Sequence, residues 1–228
     1  MDYSKIALFS DLDGTLFDDS TQVQKRNLEA LRRFTEAGGL FCVSSGRTPD
    51  NAAQYLQETP INGPSIFYNG AAAYSIAEKR YVLTHSLDSA ALSPLLKKLL
   101  AEQPAINIQV YNTEAICFIS PGSWPTNGLS ASISPACSVL WRRCAIRGLR
   151  SCWRVRRSSF ADQELVNEAA RGVASVVYSS PQYLELLPLG VSKNRPFGSL
   201  LPDRSFRAGS SPPSETTTTM WSCFAPRM

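Results

Sequence analysis

The chain has 228 residues, 43% of them hydrophobic and 18% charged, with a formal net charge of +4. That length allows one large domain, or a core domain plus a smaller one, with ample sequence for a buried core. No apolar stretch reaches membrane-spanning length and no charged-then-apolar leader opens the chain, so the expectation is a soluble, cytoplasmic protein with no membrane partner.

Ile6 to Phe9 form a short apolar run that stops at Asp11, with a second carboxylate at Asp13 and a tight turn at Gly14-Thr15. This pattern predicts a buried strand delivering two acids at its C-terminal end, the edge at which open α/β sheets bind ligands. The alternative is a capped turn in which Asp13 and Thr15 bond local amides. Ser20 or Thr21 can then cap a helix running to about Ala37, with Leu28, Leu31 and Phe34 on one face and Gly38-Gly39 as the stop. Leu40 to Val43 is a second strand, and a strand-helix-strand unit of this length implies a parallel crossover. Ser44-Ser45-Gly46-Arg47 follows, with Thr48-Pro49 as N-cap and first helical residue. A hydroxyl and backbone amides at a strand end beside a helix N-terminus suit a phosphate, although a lone S-G-R is more often just a turn. Ser65 to Tyr68 is a third strand ending in Asn69-Gly70-Ala71, where Asn-Gly in isolation signals a hairpin.

An apolar strand ending in D-L-D-G-T, followed by a second ending in S-G-R, resembles the haloacid dehalogenase (HAD) superfamily. More closely it resembles the Cof-type branch, Mg²⁺-dependent phosphatases of small phosphorylated metabolites. The resemblance covers residues 3–120 and returns over about 160–193. It implies an α/β fold, a Rossmann-like HAD core with a parallel sheet, plus an inserted α+β cap domain. The core would comprise residues 1–80 and 186–228, and the cap residues 81–185.

The cap region opens with a strand from Tyr81 and a helix with Leu92, Leu95, Leu96 and Leu99 on its apolar side. Strands at Asn107–Tyr111 and Ala115–Ile119 follow. Between 122 and 159 the regular pattern breaks down. Seven arginines and no acid lie between Arg142 and Arg157, and without them the net charge would be negative. Three readings stand for this stretch: a nucleic-acid site, the least favoured; a solvated basic loop; or an out-of-frame translation, the most favoured. Cys137, Cys144 and Cys152 fall in the same segment. No cysteine has C-x-x-C spacing and His85 is the single histidine, which argues against a structural zinc site and leaves reduced thiols as the simple reading. A polar helix at Ala161–Arg171 and strands at Ala174–Ser179 and Tyr183–Leu187 lead to Gly190-Val191-Ser192-Lys193, which resembles the branch's G-V-S-K segment.

After Lys193 the resemblance calls for a fourth motif, G-D-x-x-N-D, whose acids hold Mg²⁺. The chain has instead a Ser-, Pro- and Thr-rich stretch that reads as a disordered tail, so the C-terminal part of the core is expected to be disrupted. Read one frame away, the codons for Ser214 to Ala225 permit Gly-Asp-Asn-Asp-Asn-Asp-Val-Glu-Leu-Leu-Arg, which has the form of that motif.

The resemblance implies Asp11 as nucleophile and Asp13 as acid and base. Mg²⁺ would sit on the Asp11 carboxylate and the main-chain carbonyl of Asp13. Ser45, the amide of Gly46 and Lys193 would bind the phosphoryl group, and Asn69 would face the substrate. Sugar phosphates, nucleotides and flavin or pyridoxal phosphates all fit this reading, and oligomeric state is open. With the fourth motif missing, the chain as written is expected to fold poorly and to be weakly active or inactive. The alternative from another class is a non-catalytic phosphate-ester-binding protein of HAD type.

Overall fold

Strand β1 (Ile6–Ser10) sends alternate side chains into two apolar interiors. Ala7 and Phe9 pack with Cys42, Ile66 and Ala73 on one face. Leu8 packs on the other against a cluster that includes Leu12, Phe41, Val43 and Phe67. The computed structural model describes residues 2–102, 107–111, 116–118, 153–156, 161–180, 183–193, 207–208 and 220–224. These fall into two units, residues 1–84 with 192–228, and residues 85–191.

In the first unit β2 (Leu40–Val43) runs parallel to β1, from Ala7 opposite Leu40 to Ser10 opposite Val43. A parallel bridge between Ser44 and Ile66 extends the order to β3 (Ser65–Phe67). The C-terminal ends of β1, β2 and β3 therefore share one edge. Helix α1 (Lys25–Glu36) joins β1 to β2 and buries Leu28 and Leu31, while Phe34 packs partly buried against the same interior. It starts later than Ser20 or Thr21, the caps expected from the sequence, and Gln24 at its N-cap makes no side-chain bond. The cause is a small loop before it. The Asp18 carboxylate accepts from the amides of Ser20 and Gln22, Phe17 bridges Val23, and Thr21 takes φ 59°, a left-handed conformation that cannot begin an α-helix.

Helix α2 (Pro49–Ala53) is capped as the sequence predicts, with the Thr48 hydroxyl accepting from the Asn51 amide and Pro49 in the first turn. Strands β3, β4 (Ala72–Ser75) and β5 (Arg80–Thr84) form an antiparallel three-stranded sheet. The sequence reading assigned β5 to the inserted part; it pairs with β4 within the first unit.

On its other side β1 pairs with β12 (Met220–Phe224), antiparallel, and β11 (Arg207–Ala208) pairs with β12 in turn. The four-stranded sheet, ordered β11-β12-β1-β2, is thus mixed rather than uniformly parallel. The stretch expected as a tail supplies two of its strands. An apolar Met-Trp-Ser-Cys-Phe run can satisfy the ladder groups that β1 would otherwise leave unpaired.

The second unit holds α3 (Ser89–Glu102), with the Asp88 carboxylate accepting from the amides of Ala90 and Ala91 at its start and with Leu92 and Leu95 buried. The side chains of Leu96 and Leu99 lie outside the described residues. An antiparallel sheet follows, ordered β7-β6-β8-β10-β9. Its strands are β6 (Asn107–Tyr111), β7 (Ile116–Phe118), β8 (Trp153–Arg156), β9 (Ala174–Ser180) and β10 (Tyr183–Pro188), and α4 (Ala161–Ala170) lies between β8 and β9 in the chain. Strand β8 belongs to the stretch in which the sequence shows no clean period, yet it is the middle strand, paired to both β6 and β10. Four residues are too few for an alternation to stand out in a window that long. The rest of the 122–159 segment lies outside the described residues. Among those residues no helix is long and apolar enough to cross a membrane.

Candidate active site

At the end of β1 the chain leaves the sheet through a tight turn over Leu12–Leu16, in which Asp13 is extended and Gly14 has φ 69°. The positive φ is the reason for glycine there. Leu12 and Leu16 turn inward and are buried, while the Asp11 and Asp13 side chains remain partly exposed. Asp11 Oδ1 accepts from the Leu12 amide at 2.8 Å, and the Ser10 hydroxyl donates to the Asp11 carbonyl at 2.8 Å. The Asp11 carboxylate is thereby held facing off the sheet edge.

Its other oxygen, Oδ2, accepts from Lys193 Nζ at 2.7 Å. Both side chains are about one-third exposed, at 33% and 37%, so the pair is accessible and only partly shielded from solvent. The Ser44 hydroxyl lies 3.4 Å from the Lys193 carbonyl, a long contact that ties the end of β2 to the Lys193 segment.

Ser45 is buried at the end of β2, with its amide donating to the Ile66 carbonyl at 2.9 Å. Its hydroxyl oxygen accepts from the Arg47 amide at 3.1 Å, which leaves the hydroxyl proton to be donated elsewhere. A Cβ on Gly46 would stand 2.9 Å from Asn69 Oδ1, so the buried Asn69 side chain fills the place that a larger residue would need. Asn69 therefore lies against the 45–47 loop. The turn that carries it also closes the β3–β4 hairpin, as the Asn-Gly pair signals.

Asp13 has a partner that the sequence reading did not assign. Arg47 grips its carboxylate with two bonds, Nε to Oδ2 at 2.9 Å and Nη2 to Oδ1 at 2.6 Å. Arg47 Nη1 donates to Asn51 Oδ1 at 2.8 Å, and the guanidinium carbon lies 5.4 Å from the Phe17 ring centroid and 5.2 Å from that of Tyr55. The hydrogen bonds to Asp13 raise the Arg47 pKa above its already high ordinary value, against the opposing effect of burial. The arginine is thus a fixed cation, gripped by two residues and flanked by two rings. Its signal in the sequence was the arginine of S-G-R with an asparagine four residues on, on the first turn of the helix it precedes.

One set of described residues thus brings together Asp11, Asp13, Ser45, Gly46, Asn69 and Lys193, every site residue expected from the sequence, all within the first unit. Among the described residues no group of three or more His, Cys, Asp or Glu side chains could hold a metal ion.

Comparison with known proteins follows the same lines. The family model for haloacid dehalogenase-like hydrolases matches residues 8–135. A 5-amino-6-(5-phospho-D-ribitylamino)uracil phosphatase of Bacillus subtilis is 33% identical over 61 residues, which make up 27% of this chain and 23% of that protein. The aligned stretch is therefore less than a quarter of that relative's length. A solved structure from Thermotoga maritima superposes with a TM-score of 0.70 at 19% identity, over 85% of this chain and 73% of that one. A haloacid dehalogenase-like hydrolase from B. subtilis does so with a TM-score of 0.63 at 21% identity, over 85% and 77% of the two chains. At such identities the likeness is one of fold.

Proposed function

Because the chain belongs to the haloacid dehalogenase-like hydrolases, we propose that it is a Mg²⁺-dependent phosphatase of a small phosphorylated metabolite, acting through an aspartyl-phosphate on Asp11. The observation that carries this reading is the 2.7 Å pair between Asp11 Oδ2 and Lys193 Nζ, two groups 182 positions apart in the chain. A lysine with only a solvated role has no reason to be folded onto the carboxylate that ends β1. One as a counter-charge for an incoming phosphate does.

In this reading an Asp11 carboxylate oxygen attacks phosphorus, and the ester P–O bond breaks. Asp13 gives its proton to the departing alkoxide. It then takes a proton from water, whose oxygen attacks the phosphoaspartyl phosphorus and releases inorganic phosphate and the Asp11 carboxylate. Ser45 Oγ, the Gly46 amide and Lys193 hold the transferring group. Arg47 bonds both oxygens of Asp13 and so orients the carboxyl beside Asp11 for those steps.

Mg²⁺ is commonly held by one or two carboxylates, with waters and substrate phosphate completing its octahedron. The Asp11 carboxylate, accessible and with lone pairs to spare, fits that share of a shell, with the Asp13 main-chain carbonyl beside it in sequence. The Asp13 side chain is turned to Arg47, which bonds both of its oxygens. When bound, the ion would neutralise phosphate charge.

The same donor set favours a second reading, a protein that binds phosphate esters without turnover. Two observations support it: among the described residues no group of three or more His, Cys, Asp or Glu side chains could hold a metal ion, and Arg47 bonds both oxygens of Asp13. Hydrolysis of p-nitrophenyl phosphate with Mg²⁺ separates the two. Turnover that Asp11→Asn lowers by about three orders of magnitude or more is expected for the phosphatase. Phosphate-ester binding with no turnover in the unaltered chain would establish the second reading instead.

A further inference from the structure

The turn from Tyr68 to Ala71 has an unusual backbone. Tyr68 and Asn69 each have φ 53° and Gly70 has φ 105°, three consecutive residues on the side of conformational space that L-residues rarely occupy. Such a backbone persists only where its surroundings over-determine it. Here the surroundings are the site. The Tyr68 amide donates to the Arg47 carbonyl at 3.1 Å and the Asn69 amide to the Ser45 carbonyl at 3.2 Å, so the turn is bonded along the 45–47 loop. On its far side Gly70 meets the Ser192–Lys193 backbone. A Cβ at residue 70 would lie 3.0 Å from the Lys193 nitrogen and overlap the Ser192 carbonyl outright. That neighbour is main chain, so it cannot swing aside as the end of a flexible side chain could.

We propose that Gly70 is a positioning residue: by leaving out a side chain, it lets the Ser192–Lys193 backbone dock on the 68–71 turn and so brings Lys193 Nζ to Asp11. Asn69 does the matching work on the other loop, where its side chain fills the space beside Gly46. A single turn thus sets the spacing between the phosphate loop and the lysine. The inference rests on the proposed role of Lys193 as a counter-charge, but its test does not need turnover.

The test is amine acetylation of the full chain read by mass spectrometry, with the exposed Lys25 as internal reference for Lys193. Asp11→Ala, which removes the partner of the ammonium, defines the unpaired limit. Gly172→Ala controls for backbone strain alone, since Gly172 has φ 75° with nothing within 4 Å of an added Cβ. Gly70→Ala is expected to raise the Lys193-to-Lys25 labelling ratio several-fold, to the Asp11→Ala level, while Gly172→Ala stays at the original ratio. A folded Gly70→Ala chain with an unchanged ratio overturns the proposal. So does loss of its cooperative melt when Gly172→Ala keeps one, because Gly70 would then serve the fold as a whole. A several-fold rise in a chain that turns over no phosphate ester supports the positioning role and counts against the phosphatase reading alone.

Discussion

The two units use strands in opposite ways. In the first, β1, β2 and β3 run in one direction. In the second, five strands alternate, each antiparallel to its neighbours. Parallel strands bring their C-terminal ends to one edge, whereas alternating strands divide them between two. Ser10, Val43 and Phe67 therefore hand the chain on to three loops at a common edge, and those loops carry Asp11 and Asp13, Ser45 to Arg47, and Asn69. Among the described residues the second unit buries as polar a residue as Glu185 and has more strands in its sheet, yet it holds none of the candidate site residues. Strand direction, more than strand content, gathers the chemistry.

This contrast can be broken most forcefully at β1, the strand with partners on both edges and apolar contacts on both faces. Phe9 is fully buried, and Phe9→Ala is expected to cost about 3–5 kcal/mol in a guanidinium titration, because little around the cavity can collapse into it. A loss below about 1 kcal/mol would show that β1 is not the spine of its unit. A smaller effect is expected at the shared edge itself. Thr48→Ala removes the hydroxyl that caps α2, the helix that carries Asn51 and through it steadies Arg47. It should cost about 1 kcal/mol in the same titration. No change would mean that the cap is replaced by water and that the loop holds itself. The smallest effect is expected in the second unit at Tyr178, an exposed residue of β9 whose hydroxyl accepts from Asn167 at 3.0 Å. Tyr178→Phe should stay within about 0.5 kcal/mol, and a larger loss would show that the alternating sheet leans on its surface as the parallel edge leans on its core.

Much of the first unit was legible in the sequence. A strand buried on both faces writes itself as an unbroken apolar run, and both Ile6–Phe9 and Leu40–Val43 do so. The capped start of α2 was legible for the same kind of reason, since Thr48 and Pro49 act on their own neighbours. The late start of α1 was not. Asp18 can accept from two amides in a turn or leave them to a helix, and the bridge between Phe17 and Val23 decides between them. Arg47 was in plain view as part of S-G-R, but its grip on Asp13 joins residues 34 positions apart and follows from the crossover. Strand β12 was hidden by composition. A Ser- and Thr-rich stretch reads as a tail until β1 presents an edge for Met220–Phe224 to pair with.

By itself the sequence determined which residues could do chemistry and where the chain must turn to present them. Two acids after an apolar run, a serine and glycine before a capped helix, and a lysine after a strand are local statements, written in spacing and side-chain type. The tertiary structure alone decided that these groups meet. Lys193 reaches Asp11 because the backbone at Ser192 can lie against Gly70. Asp13, although exposed, is held by an arginine. Contacts of that kind depend on how distant segments pack, and close packing admits one arrangement where sequence periodicity admits many.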